Sequence, residues 1–129
     1  MSAIQLVDSD VCQVKRLLEI CQQETVTCSM EFQIASSSEN SITLINEVPR
    51  IDYIETDQGD FLEIGFGNAY LSFPVTDRFS KFVTEVQIFM CVSNDYYTAW
   101  ITSARLSKES IRKAKSIGPC ESGEHTESR

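Results

Sequence analysis

At 129 residues, with 42% apolar and 23% charged residues, the chain has the size and make-up of one folded domain, which excludes global disorder. A formal net charge of −8 speaks against nucleic acid and anionic membrane surfaces as partners and in favour of basic ones. No apolar run reaches the ~18 residues that a membrane span needs, and no secretory signal is read ahead of the fold.

Asp8-Ser9-Asp10 offers N-cap side chains, and Val11, Val14, Leu17, Leu18 and Cys21 then recur at helical spacing. The pattern predicts an amphipathic helix over 10–23. The period changes to strict alternation at Cys28, Met30, Phe32 and Ile34, the mark of a half-buried strand. Ser36–Ser41 is a polar turn and Ile42–Val48 a second strand, after which Pro49 marks an edge, a bulge or a corner. Ile51–Glu55 continues in extended form to the turn Asp57-Gln58-Gly59-Asp60, and Leu62, Ile64 and Phe66 then alternate. The pair Gly67-Asn68 before Tyr70–Phe73 predicts a two-residue hairpin turn, with Pro74 ending the strand.

Thr76–Phe82 fits a short helix or a loop, and Phe79 and Phe82 three apart lean the reading towards helix. Val86, Ile88, Met90 and Val92 make one apolar phase, with Phe89 and Cys91 filling the other, so this strand is central or faces a partner. After a turn at Ser93–Asp95, Tyr96–Ala104 returns as a strand with two phases, Tyr96/Thr98/Trp100 and Tyr97/Ala99/Ile101. Ser107 caps a second helix bearing Ile111, Ala114 and Ile117, stopped by Gly118-Pro119. The sum is α+β: an antiparallel meander of five to six strands with an N-terminal and a C-terminal helix packed on one face. Residues 1–118 form a single domain and 119–129 a flexible polar tail.

The only histidine, His125, falls in that tail, which removes the usual general base and metal ligand from any pocket. No catalytic motif, cofactor motif or metal-ligand spacing is present, and a non-enzyme is the expectation. Gly65-Phe66-Gly67 lacks the following helix of a phosphate loop. The five cysteines are odd in number and contain no Cys-x-x-Cys, so a disulfide framework is not expected and a reducing, cytoplasmic setting is. Cys12 and Cys120 are read as exposed thiols, Cys21 and Cys28 as small core hydrophobes.

Two charged features remain. Seven carboxylates between Glu39 and Glu63 face one cation, Arg50. Among them, Asp52, Glu55, Asp57, Asp60 and Glu63 gather round the Asp57–Asp60 turn as a docking surface, with Tyr97 and Trp100 as aromatic anchors. The competing interpretation is a solvated hairpin whose charges keep strand edges apart. Lys108, Arg112 and Lys115 share a face of the second helix, as cations complementing its dipole or as the half of a homodimer that meets the acidic hairpin of another copy.

In size, charge and element order the chain resembles bacterial secretion chaperones and the immunity proteins of basic nuclease toxins, a likeness that no motif carries. It implies an acidic binding protein that occludes a basic surface of a protein partner, inhibitor-like or chaperone-like. The alternative is a small-molecule-binding or sensing domain with its pocket between sheet and helices.

Overall fold

The structure, a computed structural model, describes residues 6–34 and 41–119, apart from the side chains of 41–46. The expected turn at 36–40, His125, Cys120 and the tail from 120 onwards lie outside the described residues.

The fold is α+β: antiparallel sheet flanked by an N-terminal and a C-terminal helix. In chain order the elements are β1 (Val7–Ser9), α1 (Val11–Gln23), β2 (Cys28–Ile34), β3 (Ser41–Glu47), β4 (Arg50–Thr56), β5 (Gly59–Phe66), β6 (Ala69–Pro74), β7 (Arg78–Val83), β8 (Ile88–Ser93), β9 (Tyr97–Ser103) and α2 (Lys108–Lys115). The strands divide into a six-stranded sheet, in the order β1-β7-β8-β9-β2-β3, and a three-stranded sheet, β4-β5-β6. The split falls at Pro49, which is fully buried between β3 and β4. A residue with no N–H to donate cannot continue a ladder, and here the chain leaves one sheet for the other.

Helix α1 starts as its cap residues require. The Asp10 carboxylate accepts from the Gln13 N–H at 2.8 Å, and the Gln13 side-chain oxygen accepts from the Asp10 N–H at 3.0 Å. The two ends satisfy each other, as in a capping box. Asp10→Ala is expected to lower stability by about 1 kcal/mol, read as a shifted urea midpoint with an unchanged slope. Val14, Leu17, Leu18 and Cys21 are completely buried along one stripe. Ser107 accepts from the Ser110 N–H at the head of α2, where Ile111 and Ala114 turn inwards.

Register assigns the faces of the large sheet. Cys28, Ser103, Ile88 and Val83 align across it, as do Met30, Ile101 and Met90, and Phe32, Ala99, Val92 and Phe79. Most of these belong to one core, together with α1, Ile111 and Ala114 of α2, and Leu62, Ile64, Phe66 and Phe73 of the small sheet. Both helices and the small sheet therefore lie over the same face of the large one. Phe73 fixes that packing, its ring centroid 6.0 Å from that of Tyr97, which in turn lies 5.1 Å from Phe32. The opposite face carries Trp100, Cys91, Phe89 and Phe82, and Trp100 is 42% exposed.

Two elements differ from the sequence reading. The meander of five to six strands is one sheet of six plus a second of three, because the Pro49 corner sends β4 onto the helical side. Residues 78–83, which leaned towards helix, are strand β7. Spacing of three fits a helix face, but here Phe79 turns into the core at 4% exposure while Phe82 points to the other side. No helix among the described residues is long and apolar enough to cross a membrane.

Candidate functional site

The acidic hairpin is built by β4 and β5, joined at Asp57-Gln58, with Gly59 at φ 129°, a conformation that L side chains rarely adopt. The Thr56 hydroxyl donates to the Gly59 carbonyl at 2.6 Å and closes the turn. Strand alternation then sorts the five expected acids. Asp52 pairs directly with Glu63, and Glu55 directly with Asp60. Opposed residues share a face, so the first pair lies on the outer side of the ribbon and the second on the side of Tyr53 and Leu62. Asp57 sits exposed at the tip.

Two carboxylates directly opposite one another repel, and the sheet gains nothing from it. The local hydrogen bonds soften this without neutralising it. The Tyr53 hydroxyl donates to Asp60 at 3.0 Å, and the Ser72 hydroxyl to Glu63 at 3.2 Å. The ion pairs among the described residues are Lys15–Glu19, Lys113–Glu24 and Lys115–Glu85, none of which involves the five acids.

Above the Asp52–Glu63 row runs the row Arg50–Gly65–Tyr70, and below it Ile54–Phe61–Pro74. Gly65 leaves room for its neighbour's side chain. A Cβ there would stand 2.6 Å from the Arg50 guanidinium, which lies flat against the glycine. Two shallow hollows result, one bounded by Arg50, Asp52, Glu63 and Tyr70, the other by Ile54, Phe61 and Ser72, with Glu63 on the wall of both. The other side of the ribbon meets α1 in an open groove lined by Val11, Lys15, Arg16, Tyr53 and Glu55.

The two aromatic anchors do not join this site or each other. Tyr97 and Trp100 stand on opposite faces of β9. Tyr97 is half-buried against Phe32 and Phe73, and its hydroxyl donates to Asp77, whose other carboxylate oxygen accepts from Asn94 at 3.1 Å. Burial pushes the Tyr97 phenol up, and the hydrogen bond to the Asp77 carboxylate adds to the shift. A raised phenol contributes stability that is complete below its unfolded value of about 10 and is lost as pH climbs towards the folded value. Wild-type urea midpoints should therefore fall above about pH 10, and Tyr97→Phe should flatten that fall. Trp100 belongs to the exposed outer face of the large sheet, away from the acids.

Cys21, Cys28 and Cys91 are free and buried. Cys28 holds its proton in a hydrogen bond to Cys21, and burial pushes the thiol up further, so it behaves as the core hydrophobe expected. Burial also raises Cys91. Cys12, expected as an exposed thiol, is instead disulfide-bonded.

The basic helix is partly paired. Lys115 reaches Glu85 at 3.1 Å and Lys113 reaches Glu24 at 3.8 Å, while Arg112, Lys113 and Lys115 all sit in the last turn, where the helix dipole favours cations. The sequence reading named Arg50 as the one cation among the acids but missed Gly65, Tyr70 and Ser72 as their neighbours. The Gly67-Asn68 turn held the signal, because it fixes β6 beside β5 and thereby Tyr70 and Ser72 in the rows. No family model, no curated protein and no solved structure matches the chain.

Proposed function

We propose that this domain is a non-enzymatic binding protein that seats its β4–β5 hairpin on a basic surface of a protein partner and occludes it. The observation that carries the reading is the direct opposition of Asp52 to Glu63 and of Glu55 to Asp60, four acids that enter none of the ion pairs among the described residues. Like charges held face to face weaken the isolated fold. A partner's lysines or arginines relieve that repulsion, so part of the binding energy comes from strain stored in the free domain. A hairpin whose charges serve only to keep strand edges apart has no need to stack acids in register on both faces.

The acids steer a basic partner and orient it, and the contact is sensitive to salt. This fits an immunity-like, inhibitor-like or chaperone-like role. The test is capture from a lysate of the source cells on the tagged domain, loaded at low salt and washed at rising salt. The reading expects a basic protein that is retained first and shed as salt rises. Retention of acidic proteins alone, or of a partner indifferent to salt, counts against it.

A further inference from the structure

The acids lie beside a second feature that the docking reading leaves unused, the open edge of the small sheet. Strand β6 is the last in the order β4-β5-β6 and hydrogen-bonds to no strand but β5 among the described residues. An edge strand displays a row of unpaired N–H and C=O groups, and proteins ordinarily guard such rows with charge. The other edges follow that rule: β1 carries Asp8, β3 carries Glu47, and β4 carries Arg50, Asp52 and Glu55. β6 reads Ala69-Tyr70-Leu71-Ser72-Phe73-Pro74, with no charge at all, and Tyr70 is 62% exposed. Its inward side chain Phe73 is locked in the core, and Pro74 closes the far end, with no N–H to offer and its carbonyl already accepting from the Asp77 N–H at 3.0 Å.

We infer that β6 accepts an extended segment of the partner as a fourth strand, and that the segment carries lysine or arginine at alternate positions. The inference rests on the docking reading above and specifies the partner's chemistry. A strand laid along β6 has its outward side chains in line with the rows already described. One of them extends over Ser72 towards Glu63, which shares its row with Asp52 and enters none of the ion pairs among the described residues. Its methylenes lie along Ser72, at the rim of the hollow that Glu63 shares with Ile54 and Phe61, while the Glu63 carboxylate takes its charge, as long cationic side chains prefer. Main-chain hydrogen bonds would supply the affinity, and the alternate basic residues the selectivity.

Three synthetic octapeptides test this: one alternating Val and Lys, one alternating Val and Glu, and the Val–Lys sequence N-methylated at every residue. The last keeps the charge but can donate from neither edge. Binding is read by fluorescence anisotropy, and its site by amide hydrogen exchange. The Val–Lys peptide should bind and slow exchange within 69–74, and the Val–Glu peptide should not. Full N-methylation should weaken binding by about tenfold or more, as should the double change Asp52→Asn/Glu63→Gln.

Equal binding of the plain and N-methylated peptides overturns strand addition, and the acidic docking reading stands if the double variant still loses affinity. Binding that depends on N–H groups but ignores the double variant overturns the acidic reading and leaves strand addition. Absence of binding at millimolar peptide, or slowed exchange at β1 or β3 instead of β6, overturns the inference. So does a dimer of the chain alone in which β6 is already protected.

Discussion

Changing Asp52, Glu55, Asp57, Asp60 and Glu63 together to Asn or Gln should raise the stability of the free domain and abolish its hold on a basic partner. The first effect follows from register. The two cross-strand pairs put like charges face to face, and neutralising them removes a few tenths of a kcal/mol of repulsion from each row, roughly 0.5–1 kcal/mol together. That corresponds to a melting temperature higher by a few degrees. The hydrogen bonds from Tyr53 and Ser72 survive as neutral ones, so the hairpin geometry persists. The second effect follows from electrostatics: without the acids the encounter rate falls towards that of uncharged proteins. Opposed changes in stability and binding are the signature of a functional surface carried at the expense of the fold. Charges that serve only solubility would show the first change without the second. A midpoint that falls in the quintuple variant would mean that the acids stabilise the hairpin, and the stored-repulsion argument would fail.

The second large effect concerns the joint between the sheets. Phe73→Ala should cost about 3–5 kcal/mol, enough to leave a domain of this size marginal at room temperature. The ring is 1% exposed, packs on Tyr97, and belongs to the same core as Leu62 and Ile64. Its removal leaves a cavity where the small sheet meets the large one, and the neighbours on two separate sheets cannot easily collapse into it. Trp100→Ala is the control. That indole is larger but 42% exposed on the far face, so its loss should cost much less. Urea unfolding of the two variants gives the comparison directly. Similar losses for both would mean that the Trp100 face is covered in solution, and the assignment of inner and outer faces would need revision.

How much of this could be read from residues alone varied with how local the cause was. Both helices were legible, because Asp10 and Ser107 cap them and the apolar spacing follows within one turn. The Gly67-Asn68 hairpin was legible for the same reason: Phe66 and Ala69 pair across it, with Gly67 at φ 60°. Strand β7 was not, since Phe79 and Phe82 satisfy a helical spacing and a strand that is apolar on both faces equally well. The division into two sheets was hidden as well. Pro49 announces a corner, but where the chain goes after it is decided by packing of β4 on α1 and of Phe73 on Tyr97, which no local pattern contains.

The candidate site divides in the same manner. That the acids share one hairpin was plain from the Asp57–Asp60 turn. That they form opposed pairs on two faces needed the register, since a slip of one residue would have mixed them. The aromatic strand shows the remaining gap. Its two phases were visible, and Tyr97 and Trp100 fall in different ones, yet which phase meets the core depends on the small sheet bringing Phe73 to Tyr97. Disulfide-bonded Cys12 had no local signal at all.

The most direct test of acidic docking is the association rate with the captured basic protein, measured by stopped-flow for the wild type and the quintuple variant over a range of salt. The docking account predicts a wild-type rate that falls by about tenfold or more between low and moderate ionic strength, and a variant rate that is slow and nearly flat. A variant that associates as fast as the wild type, with the same salt dependence, would contradict it.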